Sequence, residues 1–263
     1  MSETFAQPQI SGKMFLFEQP ELLSKEQHGD YGMSPIDNTF CFCTKVRAVP
    51  INVSEILIAA HDYPVIFTSN TGGVPLAVVG VVDDVNLFVD EKGQWEQDVY
   101  LPAYVRRYPF AFASDNSRER MAVVIDASYP AIVKNAELPF FENGEPAQST
   151  KDAIEFCQLF EQERARTEQF VKELDSYDLL AAQSAQFTPP GASEPQVFAQ
   201  YSGVDEKRLT DLSDEKFLEL RRKGILPIIY AQLYSMSNWR LLIQKRARRF
   251  NLSEDQLTKP ALS

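Results

Sequence analysis

Histidine occurs only twice in this chain, at His28 and His61, and cysteine three times, at Cys41, Cys43 and Cys157. Zinc sites draw on Cys and His at CxxC or HxxxH spacing, and neither spacing is present. His61-Asp62 with Cys41 and Cys43 makes a mixed donor set that lacks that geometry, so no metal and no cofactor are expected. Cys41 and Cys43 stand too close for an ordinary structural disulfide, and the odd count fits a reducing compartment. Also missing are a Walker loop, a GxSxG elbow and a GxGxxG turn, which removes the usual phosphate, nucleophile and dinucleotide signatures. No run approaches 18 apolar residues, so no transmembrane helix is expected. Residues 1–13 hold no basic stretch followed by an apolar one, which argues against secretory export and for a cytoplasmic place.

What the chain does have is ordinary globular composition, 44% hydrophobic and 24% charged over 263 residues, enough for a real core. Acid predominates: the net charge is −11. Phosphate backbones are repelled by such a surface, so nucleic acid is not an expected partner. The charge is uneven. Arg221, Arg222, Lys223, Arg240, Lys245, Arg246, Arg248 and Arg249 fall between residues 221 and 250 with no Asp or Glu among them, so that stretch carries +8 against −19 elsewhere. Such a segment either binds an acidic partner or docks on the chain's own acidic body, and its last turn suits a helix C-terminus.

Periodicity predicts an α+β fold: a strand-rich antiparallel body, one long amphipathic helix and a helical C-terminal tail. Strands are expected near 39–46, 65–68, 76–82, 109–113 and 121–126, and a hairpin about Asp90-Glu91-Lys92-Gly93 joins Val89 to Trp95. A short helix over 53–60 takes Ser54 as its cap. Residues 151–174 carry Ile154, Cys157, Phe160, Phe170, Val171 and Leu174 at helical spacing, with Cys157 in the packing stripe. Pro189-Pro190-Gly191 reads as a break. The expected organisation is a main body over 12–185, a Pro-rich linker over 186–196, and a tail over 197–252 packed on the body. That tail holds a hairpin of 197–201 with 207–209, a helix capped by Ser213 and closed by Gly224, and a long helix opened by Pro227.

The segment from Tyr100 to Phe110 sets adjacent arginines among three tyrosines. Guanidinium groups pair bidentately with carboxylate or phosphate, and tyrosine adds a flat face and a hydroxyl. Tyr104, Arg106, Arg107 and Tyr108, with Trp95, are therefore the candidate ligand-binding residues, suited to an anionic ligand or a peptide end. Against this stands a structural role, one arginine meeting a core carboxylate such as Asp90 or Asp126. Neighbouring residues point different ways, so one arginine is expected buried and the other open. The scarce general acid–base groups, His28, His61 and Asp62, are the catalytic candidates if the chain is an enzyme.

Several blocks in order resemble one family. They are Leu23-Ser24 with His28, Asp62-Tyr63-Pro64-Val65-Ile66-Phe67-Thr68, the strand from Pro75 to Gly80, and Asn86-Leu87-Phe88-Val89-Asp90 with Gly93 and Trp95. Tyr100 to Phe110, Asp126, Phe140-Phe141-Glu142-Asn143-Gly144-Glu145, Thr167-Glu168-Gln169-Phe170 and Val204 to Leu209 follow. Gly224-Ile225-Leu226 and Ile229-Tyr230-Ala231-Gln232-Leu233 with Ser235 complete the set. Over about 15–242 the chain resembles the SapC-like family of bacterial proteins, named for a surface-layer locus and distinct from the peptide-transporter permease that shares the name. The resemblance implies an accessory role near TonB-dependent receptors, flavin-dependent halogenase-like proteins and cupin-like proteins, in nutrient uptake or in modifying a protein or peptide. It brings no catalytic residues. The leading expectation is a non-catalytic binding or accessory protein for a peptide, protein or anionic small molecule. The alternatives are a hydrolase or modifying enzyme with a His/Asp/Arg pocket, and a surface-layer structural protein. A homodimer is among the assemblies left open.

Overall fold

The computed structural model describes residues 14–68, 73–115, 120–188, 193–253 and 256–259. The turn expected at 69–73, the loop at 115–117 and Pro189-Pro190-Gly191 fall wholly or largely outside them. The chain gathers into two compact units, each built from two separate stretches: residues 1–42 with 107–159, and residues 43–106 with 160–263.

In the first unit, Arg120–Asp126 lies between Phe110–Asp115 and Pro20–Leu22 in an antiparallel sheet. Side chains alternate across a strand. Phe110 and Ile125 therefore meet Phe140 and Cys157 on one face, while Ala111 and Val124 meet Phe17 on the other. Cys157 is thus a packing residue, as its place in the helical stripe suggests. A second small sheet centres on Tyr31–Met33 between Ile132–Lys134 and Leu138–Pro139. Asn143 and Gly144, with φ of 51° and 86°, turn the hairpin Phe141–Glu142 and Glu145–Pro146.

The second unit holds a five-stranded antiparallel sheet in the order Leu180–Phe187, Gln196–Val204, Val65–Phe67, Pro75–Val78, Ala48–Pro50. The helix Leu226–Ser235 packs against it. Gln232 takes the Val204 N–H on its oxygen (3.2 Å) and donates to the Val65 carbonyl (2.9 Å), so one buried amide clips neighbouring strands together. Ser235 Oγ accepts the Val65 N–H at 2.9 Å. Helical backbone then continues through Met236–Asn238 into Trp239–Phe250. The long helix Gln148–Ser176 begins in the first unit and ends in the second.

The α+β class and the antiparallel sheets agree with the sequence reading. Four local expectations are corrected. The 207–209 strand is helical, Glu206–Thr210, because the Asp205 carboxylate caps the Lys207 and Arg208 N–H groups. The strand after the Pro-rich break pairs instead with Leu180–Phe187, so Gln186, Phe187 and Gln196 lie in the ladder. Residues Cys41–Cys43 form a tight 3-10 turn, with the Cys41 N–H on the Asn38 carbonyl at 3.0 Å, where a strand was expected. Asn52, not Ser54, starts the short helical stretch, in a capping box with Glu55.

Candidate functional site

Pro102 starts the short helix Ala103–Arg106 by offering its carbonyl to the Val105 and Arg106 N–H groups, at 2.9 and 3.0 Å. Glu55, buried, organises this stretch of the second unit. Its carboxylate accepts the Tyr100 hydroxyl at 2.9 Å, the Ala103 N–H at 2.7 Å and the Asn52 N–H at 2.8 Å. Burial and the adjacent Glu55 charge both push the Tyr100 hydroxyl well above the ordinary tyrosine range. Arg106 is exposed, reaches the Tyr100 hydroxyl at 3.4 Å, and lies 5.9 Å from the ring centroid. Tyr104 sets its ring edge-on to Phe160 at 5.8 Å.

The next two candidates belong to the first unit. Arg107 is buried, with 8% of its surface exposed, so the neighbouring arginines do divide into one inside and one outside. Tyr108 stacks on Phe42 at 3.6 Å between centroids and donates its hydroxyl to Asp126 at 2.9 Å. Asp126 draws on neutral donors: Tyr108, the Glu18 and Gln19 N–H groups at 2.8 and 2.9 Å, and the Ser128 N–H and hydroxyl at 3.1 and 2.7 Å. Burial alone would raise its pKa, but these bonds outweigh burial and hold the carboxyl below the usual range. Asp90, the other carboxylate expected to meet an arginine, is exposed and closes its own turn through the Lys92 and Gln94 N–H groups, at 2.9 and 2.8 Å.

His28 is buried in the first unit, its Nδ1 accepting the Ser24 N–H at 3.2 Å and its Nε2 3.4 Å from Glu21. His61 and Asp62 belong to the second unit. His61 is exposed, and Asp62 accepts the Tyr100 N–H at 2.9 Å, which positions backbone. Burial pushes the Cys41 thiol up, away from a reactive thiolate. Among the described residues no three His, Cys, Asp or Glu side chains gather as a metal site, and no helix is long and apolar enough to cross a membrane.

The second unit also carries cavities. One, of about 620 Å³, surrounds the Val89–Trp95 bridge that the sequence hairpin foresaw, with Lys92, Glu96 and Arg249 on its wall. Trp95 is buried there, nearly parallel to Phe88 at 6.5 Å, and the Lys245 ammonium sits 4.6 Å from the Phe88 ring while pairing with Glu96. A second cavity, of about 560 Å³, opens where the hairpin Leu180–Phe187/Gln196–Val204 faces the terminal helix. Its walls are chiefly apolar: Phe187, Phe198, Trp239, Ile243, Leu252 and Leu257. Phe198 stands edge-on to Trp239 at 5.7 Å. Gln186, Arg240 and Gln244 bring the polar atoms, and all three side chains are exposed. Sequence reading placed Arg240 only in the basic stretch. It missed the aromatic walls, because Phe187 and Phe198 lie either side of the Pro-rich break and read as linker and tail.

Fold and sites define an α+β chain with antiparallel sheets in both units, carrying aromatic-walled cavities in the second. The SapC family model matches residues 23–242, and the chain belongs to the SapC family. No curated protein and no solved structure matches it.

Proposed function

We propose that this SapC protein is a non-catalytic binding protein, and that the cavity between the long hairpin and the terminal helix is its ligand site. The observation that carries this reading is a volume of about 560 Å³ walled by aromatic and aliphatic side chains with a few polar groups at the side. Small-molecule sites share this make-up and fall in this size range. The acid–base candidates support binding over catalysis. His28 is tied into its own helical turn, Asp62 accepts a backbone N–H, and the exposed His61 lines neither cavity, while the buried Asp126 and Glu55 also spend their oxygens on backbone and hydroxyl donors. The exposed Arg106, resting on Tyr100 beside the half-buried Tyr104, is proposed as a separate surface contact for a protein or peptide carboxylate, consistent with an accessory role beside an uptake receptor.

The test is native mass spectrometry of protein purified without detergent, beside the variant Ala247→Trp, which places an indole against the cavity wall. The expected outcome is a retained small molecule, or a mass shift with added apolar compounds, that the variant abolishes while remaining folded by circular dichroism. Identical binding by both proteins would place the ligand elsewhere. No binding of any apolar compound would end the reading.

A further inference from the structure

We infer that the ligand of this cavity is an apolar molecule bearing one anionic group, a carboxylate or its equivalent, received by Arg240. This rests on the cavity being a ligand site. Arg240 lies on the first turn of Trp239–Phe250, next to the tryptophan that forms part of the wall. Among the described residues, the Arg240 guanidinium makes no ion pair, hydrogen bond or ring contact. Of its companions in the basic stretch, Lys223 pairs with Glu173, Lys245 with Glu96 and Arg246 with Asp83, while Arg221, Arg222, Arg248 and Arg249 also lack an ion pair among the described residues; what sets Arg240 apart is that it alone of these cations lines this cavity. In a chain with 37 acidic residues, a cation left without such a partner beside an apolar recess is the group that a ligand anion would meet.

The surroundings decide the rest of the ligand. Gln186 and Gln244 offer amide donors near Arg240 and carry no competing charge. The rest of the lining includes Phe198, Ile243 and Leu257, whose side chains present only carbon. A planar guanidinium bonds carboxylate or phosphate through parallel N–H groups, and such bonds are stronger than neutral ones. The apolar walls favour a body that leaves water. A cationic ligand has no carboxylate on this lining to meet it.

Trp239 supplies the readout, because the chain has only two tryptophans. In Trp95→Phe, the remaining indole lies in the cavity wall. Its fluorescence is followed while dodecanoate, dodecyl phosphate, dodecanol or dodecyltrimethylammonium is added below micelle-forming concentration, with the wild type measured in parallel by calorimetry. The inference expects dodecanoate or dodecyl phosphate to bind at least about tenfold more tightly than dodecanol, and the cation most weakly. In Arg240→Gln that preference is expected to vanish while dodecanol binding persists. The stronger of the two anions identifies the headgroup. Equal affinity for dodecanoate, dodecyl phosphate and dodecanol, or an anion preference that survives Arg240→Gln, overturns the inference and leaves the cavity reading intact. Binding of none of the four, unaltered by Ala247→Trp, takes down the cavity reading as well.

Discussion

Arg246 offers the sharpest perturbation. Its surface is fully buried, and the Asp83 carboxylate beside it is 3% exposed. Nε donates to Asp83 at 2.8 Å, Nη1 to the carbonyls of Leu257 (2.8 Å) and Gln256 (3.2 Å), and Nη2 to that of Lys259. One guanidinium therefore neutralises an internal acid and gathers the C-terminal residues onto the unit. Arg246→Ala removes the countercharge while the carboxylate stays inside. Breaking a buried pair from one side costs about 3–5 kcal/mol, because the desolvated charge loses its compensation. The carbonyls at 256–259 can turn to water, so they add little beyond that figure. Arg246→Lys restores a charge without the fork that serves four oxygens at once, and is expected to recover less than half of the loss. Arg246→Met with Asp83→Asn removes both charges together and is expected to be milder than Arg246→Ala alone. Urea unfolding measures the losses, and limited proteolysis reports whether the residues after Phe250 become cleavable. If Arg246→Ala stays within about 1 kcal/mol of the wild type, with its C-terminal residues no more cleavable, the pair is not holding this end of the chain and the reasoning fails.

Asp126→Asn exchanges two charge-assisted acceptors for an amide that meets donors with a donor, and is expected to cost roughly 1.5–3 kcal/mol in urea unfolding. The Asp126 carboxyl titrates lower folded than unfolded, so its contribution is present above the unfolded pKa and disappears as pH falls through the folded one. The gap between wild type and Asp126→Asn should therefore close in acid, and a gap that stays constant down to the acid transition would contradict this. Arg107→Ala is expected to lose more than about 2 kcal/mol and Arg106→Ala less than about 0.5, because only Arg107 is buried; equal small losses would remove the distinction. Gly80→Ala would set a Cβ 2.1 Å from the Val85 carbonyl oxygen, so a loss of about 1–3 kcal/mol is expected by thermal unfolding, and an unchanged midpoint would show that the backbone yields.

Much of the architecture was legible because it rests on local chemistry. Ser213 accepts the Lys216 N–H and starts its helix, Gly224 leaves it at φ 70°, and the apolar stripe through Cys157, Phe170 and Leu174 predicts the long helix. The strand Leu180–Phe187 was hidden. Its alanines, glutamines and serine carry little strand propensity, and it forms because an edge position beside Gln196–Val204 asks little of side chains. Pairing between residues far apart in the chain, as between Phe67 and Ser202, has no local trace either. At the sites, the division of Arg106 and Arg107 followed from residue geometry alone. Glu55 carried a signal that went unread, the Asn52-x-x-Glu55 spacing of a capping box. The cavity had none, since its walls come from a hairpin and a helix some 40 residues apart and depend on the hairpin register.

The place of Gln196–Val204, between Leu180–Phe187 and Val65–Phe67, bears on how the chain is made. A ribosome delivers Val65–Phe67 and its partners Pro75–Val78 and Ala48–Pro50 early, and the strand that covers their open side only after more than a hundred further residues. Through that interval the Val65–Phe67 edge has no hairpin to pair with. Gln232 and Arg246, which clip and seal the finished unit, arrive later still. Nascent chains should therefore present this edge to chaperones until translation is nearly complete, and a gene cut between residues 78 and 196, which keeps the edge and loses the strand that covers it, should yield an aggregating fragment.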